Sequence, residues 1–119
     1  INRRTPRQLK SFTMKTVVSL RNDKETNTSI LQVITPDRPG LLAHLASIFS
    51  RYELILCNAK ISTLGERVED TFYIRNKHNQ LIADTDVSSE IQQTICTELD
   101  LRNQQANENS GLQSFKIGQ

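Results

Sequence analysis

The stretch TPDRPGLLAHLASIF, Thr35 to Phe49, constrains this chain more than any other. Proline has no amide hydrogen to donate, so Pro36 ends the strand. Pro39 fits the first turn of a helix, where the amides have no intrahelical partner. A strand therefore stops and a helix starts within four residues. Ahead of the prolines, SILQVIT (Ser29 to Thr35) is β-branched and apolar, and reads as a strand. Behind them, Leu41, Leu42, Leu45, Ile48, Phe49 and Tyr52 recur at helical spacing and form one apolar stripe.

The same period arguments carry outward. FTMKTVVSL (Phe12 to Leu20) partly alternates and predicts a half-buried strand. The polar run Arg21 to Asn27 reads as a short loop, so the two strands are expected to pair antiparallel. Leu54 to Thr63 alternates, with Ile55, Cys57, Ala59 and Ile61 assigned to the helix side and Asn58, Lys60 and Ser62 to the other. Gly65 marks a tight turn. Arg67 to Arg75 is the returning strand, with Val68, Phe72 and Ile74 on its core face. Asn76 to Gln80 is a loop. Asp86 is placed to cap a second helix carrying Val87, Ile91, Ile95 and Leu99.

From Ser29 onward the order is β-α-β-β-α, a ferredoxin-like core short of its last strand. The N-terminal strand is placed to fill that slot. The expected fold is α+β, with one four-stranded antiparallel sheet, two helices on one face and the other face open. Residues 1–11 are assigned as a linker, 12–101 as the domain and 102–119 as a polar, flexible tail; a short strand over Leu112 to Gly118 is the less favoured alternative. The chain opens on Ile1, which suggests a piece of a longer protein.

Composition narrows the function. With 119 residues and a formal net charge of +2, the chain suits one small domain and offers no cationic footprint for nucleic acid. The basic start (Arg3, Arg4, Arg7, Lys10) reads as a solvated linker. No apolar run spans a membrane. Cys57 and Cys96 are far apart and read as small apolar fillers in a reducing compartment, which predicts a cytoplasmic protein; a disulfide between them is less favoured.

No catalytic constellation emerges. His44 lies at the edge of the apolar stripe and His78 in a polar loop, neither with a partner at recognisable spacing. Asp84 and Asp86 flank Thr85 like a metal-binding pair, but helix capping accounts for them better. Glu66, Glu69 and Asp70 read as solvated hairpin charges. Asn58, Lys60, Glu69 and Tyr73 are assigned to the open face, which predicts dimerisation or docking on a sister domain.

The loop itself supports two readings. One is plain punctuation before a helix. In the other, the amides of Gly40, Leu41 and Leu42 hold a carboxylate at the helix N-terminus, and Asp37 pairs with an ammonium group. Together these are the two poles of an α-amino acid.

PDRPGLLAHLASIF followed by NAKISTLGERVEDTFYI resembles the C-terminal ACT domain of the bifunctional uridylyltransferase/uridylyl-removing enzyme family, over about Pro6 to Asp100. PRQLKSF looks like the segment joining that family's two ACT domains. The resemblance implies a regulatory domain that senses glutamine and controls the addition and removal of uridylyl groups on the PII nitrogen-signalling protein. Asp37, Arg38 and Gly40 match the ACT ligand loop, and Asn58, Ala59 and Lys60 the neighbouring strand. Implied partners are glutamine, PII, the sister ACT domain and the catalytic domains. The implied parent uses magnesium or another divalent metal. This segment matches no catalytic motif and is expected to have neither activity, cofactor nor bound metal of its own.

Overall fold

The computed structural model describes the backbone of residues 14–117 and the side chains of residues 14–105. The predicted linker, together with Phe12 and Thr13, lies outside the described residues. Strand β1 spans Val17–Asp23 and β2 spans Thr28–Pro36. Helix α1 follows at Leu41–Arg51, then β3 at Ile55–Lys60, β4 at Thr63–Leu64 and β5 at Arg67–Arg75. Helix α2 runs from Asp86 to Ile117.

The sheet order is β1-β2-β5-β3, with the two-residue β4 also on β5. All pairings are antiparallel. This is the expected ferredoxin-like α+β arrangement, with the N-terminal strand at the edge where a last strand would lie. Alternation along β2 and β5 sends Leu31, Val33, Val68, Phe72 and Ile74 into the core. There they meet Leu41, Leu45, Ile48 and Phe49 of α1 and Ile91, Ile95 and Leu99 of α2. Phe49 and Phe72 pack edge to face, with ring centroids 5.2 Å apart.

Several boundaries differ from the sequence reading, each for a local reason. β1 starts at Val17, because the Thr16 amide donates to Asp100 Oδ1 (2.9 Å) on α2 rather than to a strand. It then continues through Asp23, so the loop shrinks to residues 24–27. Asn22 is held in the strand by side-chain bonds: its Oδ1 accepts from Ser29 Oγ (2.8 Å) and from the Ala83 amide (3.1 Å).

In β3 a register shift between Leu56 and Asn58 breaks the simple alternation. Ile55 and Cys57 are consequently exposed, Ile61 is exposed beyond the end of the strand, and of the four residues expected on the helix side only Ala59 packs against the core. Leu42 and Val87 are exposed on their helices. Asp86 is the first residue of α2 and acts on the helix dipole from the first turn instead of preceding the helix as its cap. α2 does not stop near Leu101, and residues 112–117 are helical rather than a strand.

Candidate functional site

The loop between β2 and α1 is fixed at both ends. The Asp37 amide donates to the Glu66 carbonyl (2.9 Å), tying the loop to the turn before β5. Gly40 adopts the left-handed conformation (φ +79°) at the N-cap of α1. That conformation costs a residue with a Cβ about 1–2 kcal/mol. A Cβ placed on Gly40 would meet no atom within 4 Å, so the backbone there can be approached closely.

No side chain caps α1 and no acid lies in its first turn. The positive end of the helix dipole is therefore uncompensated by the helix itself. Leu41 is buried and anchors the helix start, while Leu42 is exposed beside it. The Asp37 side chain is exposed and joins no ion pair among the described residues.

Arg38 turns toward α2. Its Nε donates to Asn103 Oδ1 (3.1 Å), and a terminal nitrogen donates to His44 Nδ1 (3.0 Å). Asn103 in turn donates to Thr35 Oγ1 (3.3 Å), which is buried against Thr16 Oγ1 (2.8 Å). A guanidinium can only donate, so His44 Nδ1 holds a lone pair and Nε2 carries the proton. That proton is donated to Glu98 Oε1 at 2.9 Å. Glu98 also receives both terminal nitrogens of Arg51. Hydrogen bonds from Arg51 and then His44 hold the Glu98 carboxyl down at about 2. Burial, and next the charge of Arg102, lower the Arg38 guanidinium from its ordinary value. Arg38 thus braces the loop on α2.

Asn58 and Lys60 lie on the open face, in register with Tyr73 and Thr71. Asn58 Oδ1 accepts from the Ala59 amide (2.8 Å), and Lys60 Nζ stands 5.7 Å from the centre of the Tyr73 ring. Ala59 is half-buried on the helix side, opposite Phe72. Along β5, Lys60 pairs at Thr71, whereas β2 reaches the loop opposite Arg67. The sequence-predicted residues therefore form two groups: Asp37 to Leu42 at the helix start, and Asn58 and Lys60 on the opposite face.

Asp70 is a correction. Its sequence context groups it with the hairpin charges, but it is 1% exposed and lies on the core face of β5, between Val68 and Phe72. Strict alternation along β5 already carried that placement. Asp70 Oδ1 accepts from the Ser62 amide (3.1 Å), while the buried Oδ2 has no hydrogen-bond partner among the described residues. Burial first, with the nearby Asp37 charge, pushes this carboxyl up from its ordinary value.

Among the described residues, no group of three or more His, Cys, Asp or Glu side chains is placed to hold a metal ion. No described helix is long and apolar enough to cross a membrane.

No family model matches the chain, and no solved structure matches it. Relatives are found among curated proteins. The bifunctional uridylyltransferase/uridylyl-removing enzyme of Pseudomonas syringae pv. tomato is 44% identical over 104 residues, which is 87% of this chain and 12% of that protein. The enzyme of the same name from Ectopseudomonas mendocina is 48% identical over 99 residues, 83% of this chain and 11% of its own length. That of Stutzerimonas stutzeri is 46% identical over 105 residues, 88% and 12% respectively. The chain is a domain-sized relative of one segment of the bifunctional uridylyltransferase/uridylyl-removing enzymes, spanning only 11–12% of their length.

Proposed function

We propose that this chain is a regulatory ACT domain that binds an amino acid, glutamine first among them, and so sets the balance between uridylyl transfer and removal in a parent enzyme acting on PII. One observation carries the reading: the start of α1 has no side-chain cap, with the Leu41 amide turned only to the Arg38 carbonyl (3.4 Å), left-handed Gly40 leaving its backbone approachable and exposed Asp37 beside it. A ligand carboxylate is stabilised at such a helix end by free amides and the dipole. An ammonium group on the same ligand is complemented by Asp37. The two rigid prolines lower the ordering cost of binding. The names of the relatives supply the parent's two activities; the chemistry itself, with its divalent metal, belongs to other parts of that parent.

Binding regulates only if the two arrangements of the parent have different affinities for the ligand. Arg38 supplies a physical link for such a difference, since it joins the loop to α2 through Asn103 and through His44 and Glu98.

A second reading, a docking or dimerisation module without a ligand, draws on Ile55, Leu56, Ile61 and Leu64. All four are exposed along the β3–β4 side of the sheet. A glutamine titration of PII uridylylation and deuridylylation by the full-length enzyme separates the two. Asp37→Ala is expected to move the glutamine midpoint upward by about tenfold, the usual weight of a charge-assisted contact, with the glutamine-free transfer rate nearly intact. Gly40→Val is expected to act likewise by covering the helix amides. An unchanged midpoint in both folded variants leaves the loop as plain helix punctuation and favours the docking module.

A further inference from the structure

His44 lies in the first turn of α1, where its amide donates to the Gly40 carbonyl (3.0 Å). Its side chain is bonded at both ring nitrogens and only 12% exposed, so both bonds are sheltered from water. On one side a terminal nitrogen of Arg38 meets Nδ1 at 3.0 Å; on the other, Nε2 meets Glu98 Oε1 at 2.9 Å. Arg38 belongs to the loop and Glu98 to α2. One imidazole ring therefore links the loop to the second helix.

The two bonds respond oppositely to a proton. Arg38 can only donate, so its bond needs the lone pair on Nδ1 and exists only with a neutral ring. Protonation puts a hydrogen on Nδ1, and two positively charged donors then face each other. The Glu98 bond needs only the hydrogen on Nε2, which both forms supply, and a charged ring strengthens it. Glu98 itself stays ionised in mild acid, since hydrogen bonds from Arg51 and then His44 hold its carboxyl at about 2. The charged groups around the ring are Arg38 from the loop, Arg51 from α1 and Glu98 from α2, with the Arg102 charge acting on Arg38. Asp100, also on α2, is turned to the Thr16 amide. No acid forms an ion pair with Arg38 among the described residues, so no partner carboxylate offsets its repulsion from a charged ring.

We propose that His44 is a proton-operated latch: neutral, it joins Arg38 of the loop to Glu98 of α2; protonated, it releases Arg38 and keeps Glu98. Release leaves Arg38 with Asn103 (3.1 Å) and the long contact to the Pro39 carbonyl (3.4 Å), and removes its side-chain bond to α1.

The test is nitrogen-15 NMR of the intact protein from about pH 8 to about pH 5, the range in which imidazole ordinarily changes charge. At the upper end His44 is expected to show a bare Nδ1 and a protonated Nε2. As the ring charges, hydrogen exchange of the Arg38 terminal N–H groups is expected to rise about tenfold relative to those of Arg51, the weight of one bond to a charged group. Both changes are expected to share one midpoint, and His78, exposed in its loop, supplies a reference histidine. His44→Gln offers Arg38 an acceptor that does not titrate, so the rise is expected to vanish. A proton on Nδ1 at about pH 8 would overturn the proposal. So would Arg38 exchange that stays in step with Arg51 while His44 titrates, or that follows the His78 midpoint. A rise that survives in His44→Gln would place the sensor elsewhere and overturn it as well. The wild-type measurement decides alone should that variant fail to fold. The experiment uses no ligand, so its outcome is independent of the amino-acid reading of the loop.

Discussion

The middle of the helix layer and its end beside the Pro36–Gly40 loop are covered by the same two helices, yet they are built on different rules. In the middle, Leu31, Leu45, Ile48, Ile74, Ile91, Ile95 and Leu99 are essentially inaccessible and bear no polar side-chain group. At the loop end, Thr16, Thr35 and Asp70 are also buried, and Arg38, His44, Glu98 and Asn103 are stitched together by directional bonds. Apolar burial is non-directional and tolerates small shifts. A hydrogen-bonded network fixes positions more strictly, because a lost partner leaves a desolvated group behind. The contrast separates the part of the domain that holds the fold from the part that positions a loop.

The largest expected effect lies in the middle. Leu45→Ala removes a fully buried side chain and is expected to destabilise the protein by about 2–5 kcal/mol. Chemical denaturation measures this, and a cost below about 1 kcal/mol would show that α1 is not part of the apolar core. An intermediate effect is expected at the loop. Gly40→Ala introduces no clash, since a Cβ meets nothing within 4 Å, so only the left-handed backbone opposes it. The cost is expected to be about 1–2 kcal/mol, and a neutral result would mean that the loop relaxes into another conformation.

The smallest effect belongs to the ion-pair cluster. Glu98 is 30% exposed and its partner Arg51 51%, so solvent screening keeps the contribution to about 1 kcal/mol or less. Its sign with pH is fixed. The folded-state carboxyl, at about 2, lies below its ordinary 4.5. The stabilisation is therefore complete above about pH 4.5 and disappears as pH falls toward 2. Wild type minus Glu98→Gln, measured by denaturation at pH 7, 4 and 2, is expected to shrink in that order. A difference that stays constant across the series would place the value of Glu98 in packing rather than charge.

The two regions were also unequally legible in the sequence. The bounds of β5 were read correctly at Arg67 and Arg75, and Leu45, Ile48 and Phe49 were assigned to the core, because periodicity reports burial directly. The Arg38–His44–Glu98–Asn103 network was invisible. Its members are as many as 65 positions apart, and polar residues carry no period that reveals a partner. His44 was noted only as an edge residue of the stripe. Asp70 was legible and was misread: hairpin acidity outweighed the alternation that placed it between Val68 and Phe72. The register shift in β3 had no sequence signal at Cys57, since a bulge adds a residue without changing composition. The far part of α2 was missed because RNQQANENSG is polar throughout and offers no apolar face to count.

That helix has a mechanical consequence. Its 32 residues correspond to about 48 Å at the α-helical rise, and among the residues with described side chains Leu99 is its last in the apolar core. The remaining 18 residues, 100–117, project about 27 Å past that point. Arg38, through Asn103 and through His44 and Glu98, grips the helix close to Leu99. A tilt of about 10° at this fulcrum displaces the far tip by about 5 Å over a straight helix of that rise. The loop thus sits at the short arm of a lever, where sub-ångström adjustments become movements large enough for a neighbouring structure to register.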